Sequence, residues 1–279
     1  MFLNSEARAI GDAVRWNANK LRRALGIAFK NAIINERREV AFFRKLLREV
    51  KDALEKTPLS GLNIRCRTEE IHQKPRVQVC GPHQFRCELA DLLVVVKYSF
   101  GPRQIERKSL LYQVKLCKGA SYKGEIDANL LELLCDWPEF EFGLASQGGP
   151  CRYSFNAHTL EFGSFMLMLR EPALGAFVAS GPRFWIFHSY GVSTHASLGR
   201  RSGPPIVDIS KFPYAANAAK VFFGHIAFEI GEHHDLNPQI AALIDALYRH
   251  LGVDPDPPAE FDGYFREVRE EEKRRLALV

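Results

Sequence analysis

The sequence predicts an α/β fold with a C-terminal α+β extension, and three observations carry that expectation. Ile33, Glu36, Val40, Phe43, Leu47, Val50 and Leu54 recur at steps of three and four, which is one face of a helix. Leu92 to Val96 is an unbroken apolar run of strand length, and Ser109 to Leu116 follows as a second strand beyond a Gly101–Pro102 turn. A helical stretch over 125–135 comes next, and Asn237–Pro238 opens a late helix, with Asn as cap and Pro at the first helical position.

Taken in chain order, a first helix is expected over 5–24, with Asn4 or Ser5 as cap and Gly26 near its end. A second runs from Ala28 to Lys56 and stops before Pro58 and Gly61; Glu36 is the one charged member of its apolar stripe. Val77 to Cys80 reads as a short strand, closed by a Gly81–Pro82 turn. Leu89 to Val96 reads as a strand buried on both faces, and 109–116 as its antiparallel partner. After the helix ending at Trp137–Pro138, Phe140 to Phe142 and Cys151 to Phe155 are weaker strands around a Gly148–Gly149–Pro150 loop. The stretch from 160 to 230 mixes aromatic-rich strands, such as Arg183 to His188, with Gly/Pro turns. The Asn237 helix runs to Leu251, and Pro255, Pro257 and Pro258 link it to a charged helix over 260–275.

Two regions are expected: a helical N-terminus plus a core over 1–145, and a C-terminal α+β region over 146–279, packed on that core or serving as a partner-binding domain. With 279 residues, 46% hydrophobic and 25% charged, the composition excludes a disordered tail, a collagen-like fibre and a small disulfide scaffold. No apolar run approaches the roughly 18–20 residues of a membrane span, and Met1 to Ile10 lacks the apolar core of a secretory signal. The six cysteines, at 66, 80, 87, 117, 135 and 151, form no Cys-x-x-Cys pair and read as reduced thiols of a cytoplasmic protein. Net charge is +5, unevenly spread: residues 1–56 hold 13 basic and 7 acidic side chains, a balance of +6, whereas 254–279 hold 5 and 8, a balance of −3. A basic N-terminal part suits a polyanionic partner.

The chemistry-bearing residues interrupt the two apolar strands. Asp91 opens the first, with Glu88 three residues earlier, while Gln113 and Lys115 sit two apart in the second and so share a face. Antiparallel pairing brings Asp91 beside Gln113. A carboxylate and an amide oxygen are hard ligands suited to Mg²⁺, with Mn²⁺ as the substitute. An ammonium at Lys115 can orient or deprotonate a water, or stabilise charge developing on a phosphate. Glu36 is a further carboxylate, able to act from across the fold, and Glu88 or the acids at 69–70 are the alternatives to it. Glu232-His233-His234-Asp235 reads as a polar loop, because adjacent residues of an extended segment point opposite ways and do not share an ion. No Gly-x-x-x-x-Gly-Lys-Ser/Thr loop, Gly-x-Ser-x-Gly elbow or His-Glu-x-x-His pair is present.

Glu-Leu-Ala-Asp91, the apolar strand, and Tyr-Gln113-Val-Lys115 together resemble the PD-(D/E)XK superfamily, the restriction-endonuclease-like nucleases, and the Gln-x-Lys ending resembles the Mrr-type branch and bacterial anti-phage defence nucleases. The resemblance covers roughly residues 28–142. It implies a mixed central β-sheet flanked by helices. It also implies that Asp91, Gln113 and Glu36 hold the metal and that Lys115 is the catalytic lysine.

The activity this implies is metal-dependent hydrolysis of DNA phosphodiester bonds by an endonuclease of restriction or anti-phage defence. The alternative is a nuclease fold kept as a non-catalytic module binding nucleic acid or protein. Expected partners are double-stranded DNA, a defence-system ATPase, helicase or sensor protein, and a second copy of the chain; a membrane is not among them. Arg37, Arg38, Arg44, Lys45 and Arg48, on the polar side of the second helix, are the expected phosphate contacts. Phe184, Trp185, Phe187, Tyr190, Phe212 and Tyr214 are set aside for target or partner recognition or for the core. Asp91→Ala and Lys115→Ala are each expected to abolish cleavage with the fold intact, and Gln113→Glu to be tolerated.

Overall fold

The computed structural model describes residues 12–13, 16–33, 39–59, 61–71, 75–100, 103–117, 123–125, 127–142, 151–155, 162–169, 176–180, 206–208, 232–233 and 237–254. Two helices come first, α1 (Ala18–Ile33) and α2 (Glu39–Lys56). Strands β1 (Leu62–Glu70), β2 (Arg76–Val79), β3 (Arg86–Glu88), β4 (Leu92–Phe100), β5 (Arg103–Cys117) and β6 (Lys123–Glu125) follow. Helix α3 (Ala128–Asp136) precedes β7 (Phe140–Phe142), β8 (Cys151–Tyr153), β9 (Gly163–Leu169), β10 (Ala176–Ser180), β11 (Ile206–Asp208) and β12 (Glu232–His233), and α4 (Pro238–Leu251) ends the described chain.

The central sheet is mixed and runs in the order β1-β4-β5-β9-β10, with β12 also paired to β5. β1, β4 and β5 form an antiparallel meander, β9 lies parallel to β5, and β10 turns back antiparallel. The parallel step requires a long crossover, and α3 lies within it. A second, antiparallel sheet has the order β3-β2-β7-β8, and β11 pairs with β6.

Alternation along β4 and β5 divides the core into two layers. Leu92, Val94, Val96, Leu110, Tyr112 and Val114 pack with Leu21, Leu25 and Phe29 of α1 and Leu46, Val50 and Leu54 of α2. Leu93, Val95 and Leu111 point the other way, into a cluster with Leu130, Leu133 and Leu134 of α3 and Ile240, Leu243 and Leu247 of α4. The sheet therefore carries helices on both faces, and both layers need the apolar continuity seen at 92–96. Residues beyond 145 contribute to this same body: β9 and β10 extend the sheet, and α4 fills the second layer.

Caps follow the sequence signals. The Asn237 side chain accepts from the backbone N–H of Gln239 at 3.1 Å and of Ile240 at 3.3 Å, Pro238 occupies the first turn, and Gly252 closes α4 in the left-handed conformation. Asp127 caps α3 by accepting from Asn129 N, and Trp137 ends it with φ of 45°. Its indole packs on Phe155 and Phe162, with ring centroids 5.0 and 5.4 Å away. The thiols of Cys66 and Cys87 are buried and pushed up to about 12 by desolvation, whereas Cys151 is exposed.

Three boundaries differ from the sequence reading. Gly26 lies inside α1 rather than at its end, because Leu21, Leu25, Ala28, Phe29 and Ala32 form a continuous buried stripe through it. The second helix starts at Glu39, so the stretch from Ala28 is not one helix. β4 and β5 run on to Phe100 and from Arg103, longer than their apolar runs, since backbone pairing extends beyond the residues buried on both faces. Glu232–His233, expected in a loop, pairs with Ser109 and Lys108 of β5 for the same reason. The aromatic segment 183–188 and the helix over 260–275 lie outside the described residues, and within those residues no helix is long and apolar enough to cross a membrane.

Candidate functional site

Asp91 immediately precedes β4, at the point where three strands meet. Its N–H donates to Tyr112 O at 2.9 Å, and its carbonyl accepts from Ile71 N at 2.8 Å. Since Leu92 pairs with Tyr112, the next position back sets Asp91 opposite Gln113, on the face of Leu93 and Leu111. The antiparallel pairing expected from sequence thus brings these two polar side chains together.

Both are fully buried. Asp91 Oδ2 accepts from the Gln113 amide Nε2 and from the backbone N–H of Val114, the latter at 2.7 Å. Two N–H donors offset much of the cost of removing a carboxylate from water. The same contacts tie the start of β4 to the middle of β5. Once Nε2 is committed to the carboxylate, Gln113 Oε1 faces away from it. That oxygen is buried and accepts no hydrogen bond from a described residue. The amide thus presents Nε2 to the carboxylate, and a shared Mg²⁺ or Mn²⁺ would require the amide to turn so that Oε1 and the carboxylate face one ion.

Lys115 follows two residues on in β5, opposite Leu167 of β9; its side chain lies outside the described residues. Glu36 also lies outside them, and the helices before and after it, α1 and α2, pack on the Tyr112 face of the sheet. Of the alternative acids, Glu70 is held by Arg44 of α2 through two hydrogen bonds, of 2.5 and 2.9 Å, and Glu69 by Arg67 at 3.0 Å. These pairs lie at the sheet margin, and each carboxylate already has its cation. Glu88 ends β3, opposite Arg76. Among the described residues no group of three or more His, Cys, Asp or Glu is placed to hold a metal ion.

Of the expected phosphate contacts, Arg37 and Arg38 lie outside the described residues, Arg48 is exposed and Lys45 half-buried. Arg44 spends its guanidinium on Glu70, which raises its pKa above the ordinary value. Sequence reasoning missed the Val114 N–H as an Asp91 partner, because a backbone donor carries no residue signature. It also missed Arg107, Lys108, Ser109 and Ser164 as buried polar groups of β5 and β9. Arg107 to Ser109 precede the recognised motif and look solvent-facing until β12 closes beside them. No protein-family model, curated protein or solved structure matches this chain.

Proposed function

We propose that the chain is a divalent-metal-dependent DNA endonuclease with a restriction-endonuclease-like core, of the kind used in restriction or anti-phage defence. One observation carries the reading: strand pairing sets the Asp91 carboxylate against the Gln113 amide, whose buried Oε1 has no hydrogen-bond donor among the described residues. A mixed sheet flanked by helices on both faces, with the acid at the mouth of one strand and the amide on its neighbour, supports the same fold assignment.

In this reading Asp91 and Gln113 hold the ion; the helices flanking Glu36 pack on the opposite face of the sheet, so Glu36 is not assigned to it. A bound Mg²⁺ or Mn²⁺ acidifies a coordinated water and neutralises charge on the scissile phosphate. The protein's own part is positional. The Val114 N–H fixes one oxygen of Asp91, and the strand pairing fixes the separation of Asp91 from Gln113. Lys115 takes the role of orienting or deprotonating the water, or of stabilising the phosphate as its charge grows.

A second reading, a nuclease fold retained as a non-catalytic module, is favoured by one observation: Asp91 and Gln113 are fully buried and hydrogen-bonded to each other, as a structural latch would be. Incubation of purified protein with plasmid and phage DNA separates the two. The nuclease reading expects cleavage with Mg²⁺ or Mn²⁺, none with EDTA, and none with Asp91→Asn. A folded wild-type protein that neither cleaves nor binds Mn²⁺ would establish the module instead.

A further inference from the structure

Helix α1 buries Leu21, Leu25, Ala28, Phe29 and Ala32 against α2, and its opposite side carries Lys20, Arg23, Ile27 and Lys30, a second stripe in line with Trp16 just before the helix. The steps are four, three, four and three, so the five side chains lie along one line of the helix. The hydrogen bonds Asn17 N to Ala13 O (3.1 Å) and Leu21 N to Asn17 O (3.0 Å) keep Trp16 on the helical path ahead of Ala18. Trp16 is 84% exposed and Ile27 52%, the two large apolar side chains most open to solvent among the described residues. Lys20, Arg23 and Lys30 are exposed and form no ion pair with a described residue. No acid lies within α1 itself.

We propose that this stripe is a docking surface for a single-stranded nucleic acid, with Lys20, Arg23 and Lys30 on backbone phosphates and Trp16 stacked on a base. Charge decides among the partners. A second helix packed along the same line would meet three cations in five seam positions, which a coiled-coil interface does not tolerate cheaply. A membrane needs a broad apolar face, and the broad apolar face of α1 is already buried against α2. A polyanionic strand neutralises the cations and uses the exposed indole, the combination found in single-strand binding surfaces. The stripe spans about 21 Å at 1.5 Å per residue, enough for several nucleotides. Of the α2 cations, Arg44 is already engaged by Glu70. The docking surface stands independently of the Asp91–Gln113 reading.

The test is fluorescence anisotropy with a labelled 20-nucleotide single strand, the matching duplex, and vesicles of phosphatidylcholine with phosphatidylserine. All measurements contain EDTA, so the outcome does not depend on cleavage. Wild type should bind the single strand more tightly than the duplex or the vesicles. The double variant Lys20→Gln/Arg23→Gln should flatten the plot of log K against log salt by about 1.4. Trp16→Ala should weaken single-strand binding about tenfold with the salt slope unchanged. These positions are exposed, and unchanged melting temperatures of the variants should accompany the effects. An unchanged slope in the double variant, a neutral Trp16→Ala, or tighter binding to duplex or vesicles would each overturn the proposal.

Discussion

Asp91→Ala is expected to destabilise the protein by about 4 kcal/mol, and Asp91→Asn by only about 1 kcal/mol. The alanine variant leaves two buried donors, Gln113 Nε2 and Val114 N, without their acceptor. Each such loss costs about 1–3 kcal/mol, so the pair costs roughly 2–6, with release of the buried charge offsetting part. Asparagine with its amide oxygen at the Oδ2 position keeps an acceptor for both donors. The sequence alone implies that Asp91→Ala spares the fold; full burial of the carboxylate changes that. Urea unfolding measures the difference. With a slope of about 3 kcal/mol per molar, the alanine midpoint should fall by about 1.3 M and the asparagine midpoint by about 0.3 M. Equal midpoints for the two variants, or an alanine cost below about 1 kcal/mol, would refute the argument that this carboxylate holds β4 to β5.

Gln113→Glu should place two buried carboxyls in contact, so that one retains a proton; its folded-state pKa rises, and stability should fall as pH climbs above the unfolded value of about 4.3. Added Mn²⁺ should restore the melting temperature of that variant if the pair is a metal site, and leave it unchanged if the pair is only a latch. Gly163→Ala should cost about 1–3 kcal/mol in thermal unfolding, because a Cβ there would lie 2.9 Å from Trp137 Cζ2 and 3.0 Å from Leu134 Cδ2. The Cys66 thiol, raised to about 12 by burial, stays protonated in the folded chain while the unfolded chain ionises near pH 9. Stability is therefore complete below that pH and should fall as pH rises above about 9; Cys66→Ala should remove that portion of an alkaline denaturation slope.

Local signals determined much of the framework. The run at 92–96 is apolar at every position because both sheet faces are covered, and that continuity is visible without coordinates. Asn237–Pro238 marks the start of α4 because capping involves only the next three residues. Asp91 and Gln113 stood out as polar interruptions of apolar strands, and antiparallel pairing of those strands sufficed to bring them together. Where a decision depended on distant partners, the sequence could not make it. Gly26 stops an isolated helix, but the burial of Leu25 and Phe29 against α2 carries α1 through it. Nothing local to 163–169 or 238–251 shows that those residues complete the sheet and core begun before residue 145, because β5–β9 pairing and the α4 layer are contacts across long chain separations. Tertiary structure alone decided that the Asp91 carboxylate is buried and held by a backbone N–H, that Glu70 already has Arg44, and that Lys20, Arg23 and Lys30 are exposed on α1. Each of these depends on which side chains meet in space, which the spacing of residues along one strand or helix does not encode.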